Sequence, residues 1–254
     1  MRLSIITVNI NNAAGLHKTI SSVICQTYSD YEYIIIDGGS VDESIDVIKQ
    51  FKNNKLKWIS EKDNGIYNAM NKGILKSSGQ YLLFLNSGDF LYSNDVLKNV
   101  FSKSLDAGLI CCSLKIELLD KKESSIYSIK NKKITNRYMF YQTIPHPSTL
   151  IKRELFMKFG LYDESFKIAG DYEFFVRVIK NKVKYLIEPL VLSVFNNQGI
   201  SWSQLDLVND ENLKIRKQYF FFSSYLYKLY DILYILYGFG RKLLVKIKLL
   251  LISK

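Results

Sequence analysis

Apolar runs of strand length alternate with segments of helical spacing through the first third of the chain. Strands are predicted wherever a short run rich in β-branched or aromatic residues is bounded by polar turns, at 3–10, 33–36, 57–60 and 81–85. Helices are predicted where apolar residues recur every three or four positions, at 14–26, from about 42, and at 66–76. This order predicts an α/β fold with a Rossmann-like, mostly parallel sheet flanked by helices.

The pattern changes after residue 89. Further strands are predicted at 109–119 and 185–195, further helices at 152–159, from about 171 and at 204–219, and an exposed, basic loop or hairpin at 120–137. The 254 residues suit one large domain, 1–218, with halves 1–105 and 106–218, followed by a tail at 219–254.

The tail is dense in Tyr, Phe, Leu and Ile and carries several Lys and Arg residues against a single acid, Asp231. This composition favours a basic amphipathic helix that lies on an anionic membrane surface. A bilayer span over about 20 residues, packing into the core and self-association into a homo-oligomer are the alternatives.

The formal net charge of +11 indicates an anionic partner: nucleic acid, a membrane surface or a phosphate-bearing substrate. Nucleic acid is disfavoured, because the positive charge concentrates in the tail and at 121–137 without an aromatic-basic readout motif. The three cysteines, Cys25, Cys111 and Cys112, show no metal-ligand spacing, which favours reduced thiols. The first ten residues lack a signal-peptide cleavage site, so we expect the body of the protein to face the cytoplasm.

Two predicted strands end in turns of small or acidic residues, DGGS at 37–40 and NSGD at 86–89. Carboxyl ends of parallel strands share one edge of a sheet, where open α/β folds bind ligands. Carboxylates at that edge suit ribose hydroxyls and a Mg²⁺ or Mn²⁺ ion on a diphosphate, while glycines let the backbone approach a ligand. Ordinary turn chemistry explains either motif alone, but two on one edge favour a ligand site.

A second acidic position lies near the predicted helix at 171. Asp171 can cap that helix or act as a general base on an acceptor hydroxyl, with Glu173 as the alternative base. His146 lies between two prolines and can order a loop, bind phosphate or a metal, or hydrogen-bond the backbone; the structural role is slightly favoured. No GxGxxG, GxxxxGK[ST], HExxH or GxSxG motif occurs, which disfavours dinucleotide, P-loop, zincin and hydrolase chemistry.

Taken together, these segments resemble the inverting family 2 glycosyltransferases of the GT-A fold, including bacterial enzymes that build capsule, O-antigen and colanic-acid types of surface polysaccharide. The matching segments keep the family's order over about residues 3–180: SIITVNINN, GLHKTISSVICQTYSDYEYIIIDGGSVDES, SEKDNGIYNAMNKGI, GQYLLFLNSGD and GLYDESFKIAGDYEFFVRV. The resemblance implies a GT-A domain; the membrane-associating tail that follows it is predicted from composition and charge.

The resemblance also implies roles for individual residues. Nucleotide contacts fall on Thr7, Asn9, Asn11, Asp37, Gly39, Asp63, Asn64, Gly65, Asn71, Asn86, Ser87 and Gly88. The family's metal motif is Asp-x-Asp, often followed by another Asp; here Asn86 and Gly88 replace two acids, and Asp89 remains as the ligand of Mn²⁺ or Mg²⁺. The family's base follows a Glu, whereas here Gly170 precedes Asp171, which inherits the catalytic role.

The implied reaction is transfer of a hexose, most commonly from a UDP-sugar, to a hydroxyl of a lipid-linked or oligosaccharide acceptor. It would take place at the cytoplasmic face of a bacterial membrane. The reduced metal motif leaves open a catalytically weak GT-A-like module that binds a sugar nucleotide or a partner enzyme. A nucleotidyltransferase is disfavoured, because the turn after the first strand is rich in asparagine rather than glycine and basic residues.

Overall fold

The computed structural model describes residues 1–118, 123–129, 132–196, 204–221, 225 and 228–229. The chain divides into two compact units, Met1–Asn212 and Leu213–Lys254. Most of the predicted tail lies outside the described residues, so its membrane-binding helix and the domain boundary after residue 218 stay predictions. Within the described part of the chain, no helix has the length and apolar character needed to cross a membrane.

The first unit consists of strands and helices joined by short loops. The described strands are β1 (Leu3–Asn9), β2 (Tyr31–Asp37), β3 (Leu56–Ser60), β4 (Tyr81–Phe84), β5 (Phe90–Leu91), β6 (Leu109–Leu118), β7 (Glu123–Tyr127), β8 (Thr149–Lys152) and β9 (Tyr185–Asn196). The described helices are α1 (Ala13–Ile24), α2 (Ser44–Gln50), α3 (Ile66–Lys76), α4 (Val96–Phe101), α5 (Asn136–Tyr141), α6 (Glu154–Phe159) and α7 (Gly170–Lys180), with a 3-10 turn at His146–Ser148. Residues 205–212 are helical at the end of this unit, and residues 213–221 are helical in the second.

One mixed sheet runs through the first unit in the order β3-β2-β1-β4-β8-β6-β9-β5, with β7 paired to β6. The strands β3, β2, β1 and β4 are parallel neighbours, and β1 and β2 are buried along their whole length. Burial on both faces explains why these strands read as continuous apolar runs. In the rest of the sheet, β6 and β9 are parallel and the other pairs are antiparallel.

Helices cover both faces of the parallel half. Leu16 of α1 and Ile48 of α2 belong to the same buried cluster as Ile5 of β1. The next residue of that strand, Ile6, points to the opposite face, where α3 packs closely enough for Gly73 to be required: a Cβ there would lie 2.5 Å from Ile6 Cγ2. This arrangement places the carboxyl ends of β1, β2 and β4 side by side on one open edge.

The predicted fold class is confirmed. The strands and helices predicted up to residue 85 are present with small shifts at their ends. Within the exposed loop or hairpin predicted at 120–137, β7 pairs with β6 as a hairpin strand, but Ile129 and Ile134 are buried. The sequence analysis missed β5, β8, α4 and α5. Each has only two to six residues, which is too short to display a hydrophobic period.

Candidate active site

The NSGD turn after β4 is held in place by α1. Gly88 has a φ of 106°, a backbone conformation that favours glycine. The Gly88 N–H donates to Thr19 Oγ1 at 2.9 Å, and the same hydroxyl donates to the Asp89 carbonyl at 2.7 Å. Asn12, the N-cap of α1, donates through Nδ2 to the Ser87 carbonyl at 3.0 Å. Thr19 and Asn12 were not among the predicted site residues, although both lie in the matching N-terminal segments.

Two oxygen donors of this turn fit a divalent cation. Asp89 is only 5% exposed, and burial raises the pKa of its carboxyl to about 7 despite a hydrogen bond from the Asn86 N–H. The Asn86 Oδ1 is buried and has no hydrogen-bond partner among the described residues. Carboxylate and amide oxygens are suitable ligands for Mg²⁺ or Mn²⁺. No three His, Cys, Asp or Glu side chains are grouped to hold a metal in the described ranges, so a bound diphosphate would have to complete the ligand set.

Asp37, at the end of β2, is fully buried and its carboxylate is occupied by the protein. It accepts hydrogen bonds from Asn9 Nδ2 at 2.8 Å, from Ser60 Oγ at 2.7 Å, and from the Ser40 hydroxyl and N–H at 2.6 and 2.9 Å. Burial by itself would raise the pKa of Asp37, but the bonds from Ser40, Ser60 and Asn9 outweigh it and hold the pKa below its usual range. Asp37 therefore fixes the turn and the Asn9 side chain, and direct contact with a base or ribose has no support from this geometry.

The three residues of the first strand and its loop that were predicted to contact the nucleotide differ in burial and in hydrogen-bond partners. Thr7 is fully buried, with Oγ1 3.0 Å from the Tyr33 hydroxyl; its side chain lies in the core, and its predicted nucleotide contact stays a prediction. Asn9 lies at the end of β1 and its Oδ1 is buried without a partner among the described residues. Asn11 is exposed with a φ of 48°, and its Oδ1 accepts the Val41 N–H at 2.8 Å.

The predicted residues 63–65 lie beside the turn that follows β2. A Cβ added to Gly38 would meet Asp63 Oδ2 at 2.9 Å, and one added to Gly39 would meet the backbone of Glu61 and Lys62, just before that segment. Asp63 Oδ1 accepts from Lys72 Nζ at 2.7 Å, whereas Asn64 and Gly65 are exposed. Gly39 and residues 63–65 therefore share one region of the sheet edge.

Asn71 does not reach this edge. It is 4% exposed, and its side-chain amide hydrogen-bonds to the segment before α7. Its Oδ1 accepts the Tyr162 N–H at 3.0 Å, and its Nδ2 donates to the Tyr162 carbonyl at 2.9 Å and to Glu164 Oε1 at 2.8 Å. The Asn71 side chain therefore joins α3 to residues 162–164, and its predicted nucleotide contact stays a prediction.

Asp171 lies in the first turn of α7 and is half-buried. The single proton of the Tyr67 hydroxyl is shared between two acceptors, the Ile168 carbonyl at 2.5 Å and Asp171 Oδ1 at 3.0 Å. Burial and the neighbouring charge of Asp171 raise the pKa of Tyr67 well above its usual value, so the hydroxyl remains a donor. A Cβ at Gly170 would lie 2.8 Å from the Tyr67 ring, which explains the glycine before Asp171.

The alternative base, Glu173, is committed to an ion pair. It is 3% exposed, and Arg177 donates to its two oxygens at 2.7 and 3.1 Å. Arg177 also donates to the carbonyls of Phe159 and Leu161. The geometry therefore favours Asp171 over Glu173 as the proton acceptor.

His146 is packed between the NSGD strand and the Asp171 region. Its ring is 7% exposed, stacks on Phe84 with centroids 5.0 Å apart, and places Nε2 2.9 Å from the Tyr162 hydroxyl. Burial lowers the pKa of His146, an effect partly offset by the charge of Asp171. The ring therefore serves packing between the two parts of the site, and a metal or phosphate contact has no support from its surroundings.

Comparison with known sequences identifies the family of this chain. Residues 4–160 match the family model described as glycosyl transferase family 2. A "PGL/p-HBAD biosynthesis glycosyltransferase" of Mycobacterium bovis (strain BCG / Pasteur 1173P2) is 29% identical over 184 residues, which is 70% of each chain. An "uncharacterized glycosyltransferase" of Mycobacterium tuberculosis (strain ATCC 25618 / H37Rv) is 33% identical over 208 residues, 78% of this chain and 76% of that one.

Solved structures share the fold at low sequence identity. Staphylococcus aureus TarS 1–349 in complex with UDP-GlcNAc is similar with a TM-score of 0.65 at 15% identity, over 78% of this chain and 59% of that chain. The mannosyltransferase PcManGT from Pyrobaculum calidifontis, in complex with GDP-Man and Mn²⁺, has a TM-score of 0.64 at 15% identity, over 84% and 61%. The chain thus spans less than two thirds of these solved chains. Since the family model covers more than half of the sequence, this chain belongs to glycosyl transferase family 2 and is a glycosyltransferase with the GT-A fold.

Proposed function

We propose that this chain is an inverting glycosyltransferase that transfers a sugar from a nucleotide-sugar to an acceptor hydroxyl, with Asp171 as the general base. The observation that carries this proposal is the exposure of the Asp171 carboxylate and the small number of protein donors that it binds. Asp37 and Glu173 have their oxygens occupied by protein donors, whereas Asp171 is half-buried and accepts from Tyr67 through Oδ1. Of the three carboxylates, Asp171 is the one that is partly exposed and that accepts the fewest hydrogen bonds among the described residues, so it is the most open to an acceptor hydroxyl.

The proposed reaction is a single displacement. The acceptor oxygen attacks the anomeric carbon from the side opposite the diphosphate, and its proton passes to Asp171. The bond between the anomeric carbon and the diphosphate oxygen breaks, and the sugar is transferred with inverted configuration. The Tyr67 hydroxyl keeps the base oriented through its bond to Oδ1. A divalent cation bound at Asp89 and Asn86 would offset the charge of the departing diphosphate.

A nucleotide-sugar donor is supported by the neighbouring structures, which bind UDP, UDP-GlcNAc or GDP-Man. We propose a UDP-sugar as the first donor to test and Mn²⁺ or Mg²⁺ as the cation, since one neighbour is in complex with Mn²⁺. We propose a lipid-linked or oligosaccharide hydroxyl as the acceptor, in surface polysaccharide synthesis at the cytoplasmic face of a bacterial membrane. A mycobacterial relative named for PGL/p-HBAD biosynthesis supports a glycoconjugate product.

Thermal unfolding with and without donors and Mn²⁺ tests the binding part of this proposal. The variants are Asp89→Asn and, as a matched control, Asp106→Asn, whose exposed carboxylate pairs with Lys184 on the surface. Because burial already raises the pKa of Asp89 to about 7, we expect the neutral amide to be tolerated by the ligand-free fold.

We expect one of UDP-GlcNAc, UDP-glucose, GDP-mannose or a TDP-sugar to raise the unfolding temperature only when Mn²⁺ is present. That shift should be lost in Asp89→Asn and kept in Asp106→Asn. If no nucleotide-sugar binds with or without the metal, the donor assignment fails. If a donor binds but neither transfer nor hydrolysis follows, the chain is a binding module rather than an active transferase.

A further inference from the structure

The loop that leads into α7 is held by a carboxylate from a distant part of the chain. Glu211 accepts three successive backbone N–H groups: Lys167 at 2.7 Å through Oε1, and Ile168 at 3.0 Å and Ala169 at 2.8 Å through Oε2. Glu211 is 8% exposed, whereas the adjacent Asp210 is exposed. Charge-assisted bonds to consecutive N–H groups are stronger than neutral ones and fix the direction of each peptide.

The same loop is held from its other side by Tyr67. The Tyr67 hydroxyl shares its one proton between the Ile168 carbonyl and Asp171 Oδ1, and the ring lies against the α-carbon of Gly170. Ile168 therefore has its N–H bound by Glu211 and its carbonyl bound by Tyr67. The first turn of α7, which carries Asp171, begins two residues later.

We propose that Glu211 and Tyr67 are positioning residues for sugar transfer, which clamp residues 167–171 so that the Asp171 carboxylate is aimed at the acceptor hydroxyl. This inference rests on the proposed role of Asp171 as the base. A general base works only within hydrogen-bond reach of the proton that it removes, and a displacement of about 1 Å can cost about 10²-fold in rate. A glutamate that binds the backbone of residues 167–169 thereby controls turnover.

Two variants weaken the clamp from opposite sides while keeping its shape. Glu211→Gln replaces one acceptor oxygen by an NH₂ group, so at least one of the three N–H groups loses its partner. Tyr67→Phe removes the hydroxyl and leaves the ring against Gly170. Asp210→Asn is the matched control for the first variant, and Tyr81→Phe for the second, because Tyr81 is buried and donates to the carbonyls of residues 105 and 107.

The measurement is steady-state release of UDP from UDP-GlcNAc, or of GDP from GDP-mannose, by the full chain. We expect kcat to fall by about 10- to 100-fold in Glu211→Gln and Tyr67→Phe, with the KM for the donor within about twofold of the wild type. The two controls should keep both parameters within about twofold. A role in folding alone would lower the unfolding temperature and leave the kcat of the folded enzyme unchanged.

A double-variant cycle shows whether the clamp acts through the base. Adding Glu211→Gln to Asp171→Asn should cause no further loss of kcat, because the misplaced group is already inactive. An equal loss in both backgrounds overturns the proposal, as does an unchanged kcat in both clamp variants. If Glu211→Gln does not fold, the kcat of Tyr67→Phe, alone and combined with Asp171→Asn, tests the proposal in the same way. Wild-type turnover by Asp171→Asn alone would instead refute the base assignment, which separates the two failures.

Discussion

Replacing Thr19 by valine should loosen the turn that carries Asp89. Thr19 is fully buried, and its hydroxyl accepts the Gly88 N–H at 2.9 Å and donates to the Asp89 carbonyl at 2.7 Å. Valine has nearly the same shape but no hydroxyl, so both backbone groups lose this partner inside the protein. Losing a buried hydrogen-bond partner costs about 1–3 kcal/mol, so we expect Thr19→Val to lower the free energy of unfolding by about 1–3 kcal/mol.

Urea denaturation of Thr19→Val, Thr19→Ser and the wild type measures this effect. Serine keeps the hydroxyl and loses one buried methyl group, so we expect it to cost about 1 kcal/mol. The Mn²⁺-dependent affinity for the donor should also fall in Thr19→Val, because the Asp89 carboxylate is carried by the loosened turn. The reasoning is refuted if valine unfolds at the same urea concentration as the wild type, or if serine is as destabilised as valine.

Two further variants test other contacts. Burial would raise the pKa of Glu32, but hydrogen bonds from Ser78, Lys57 and Ser4 outweigh it and lower the pKa from 4.5 to about 2. The ionised Glu32 therefore stabilises the folded protein above pH 4.5, and this stabilisation is lost as the pH falls towards 2. We therefore expect Glu32→Gln to be less stable by up to about 3 kcal/mol at pH 7 in denaturant titrations, with the difference shrinking in acid; a constant difference would contradict this. Asn71→Ala should lose about 2–3 kcal/mol in the free energy of unfolding and keep its affinity for the donor. Unchanged stability with a lower donor affinity, in unfolding and donor titrations, would support the nucleotide contact that the resemblance implied.

The parallel half of the fold was predictable because its strands are buried on both faces. Such strands form continuous apolar runs, and amphipathic helices separate them, so the order β1-α1-β2-α2-β3-α3-β4 follows from the sequence. The antiparallel half of the fold was harder to predict from the sequence. The strand β8 and the short helix α4 have no recognisable period, and their place in the fold depends on contacts with distant strands.

The location of the site could be predicted from the sequence, but the contacts of its individual side chains could be predicted only in part. The turns at 37–40 and 86–89 were expected on one sheet edge, and the structure places the strands that precede them, β2 and β4, on either side of β1 and parallel to it. Whether a polar side chain faces the edge or the interior depends on its partner, as Thr7 with Tyr33 shows. Glu211 illustrates the same limit, because nothing along the chain indicates that this acid binds the backbone before Asp171.

The most direct test of the central claim is the kcat of Asp171→Asn at saturating donor, measured together with donor binding. Asparagine keeps the size of the side chain and can still accept the Tyr67 hydroxyl, but it cannot take up a proton at neutral pH. We predict that donor affinity is unchanged and that kcat falls by about 10²- to 10⁴-fold. Wild-type turnover in this variant would contradict the assignment of Asp171 as the general base.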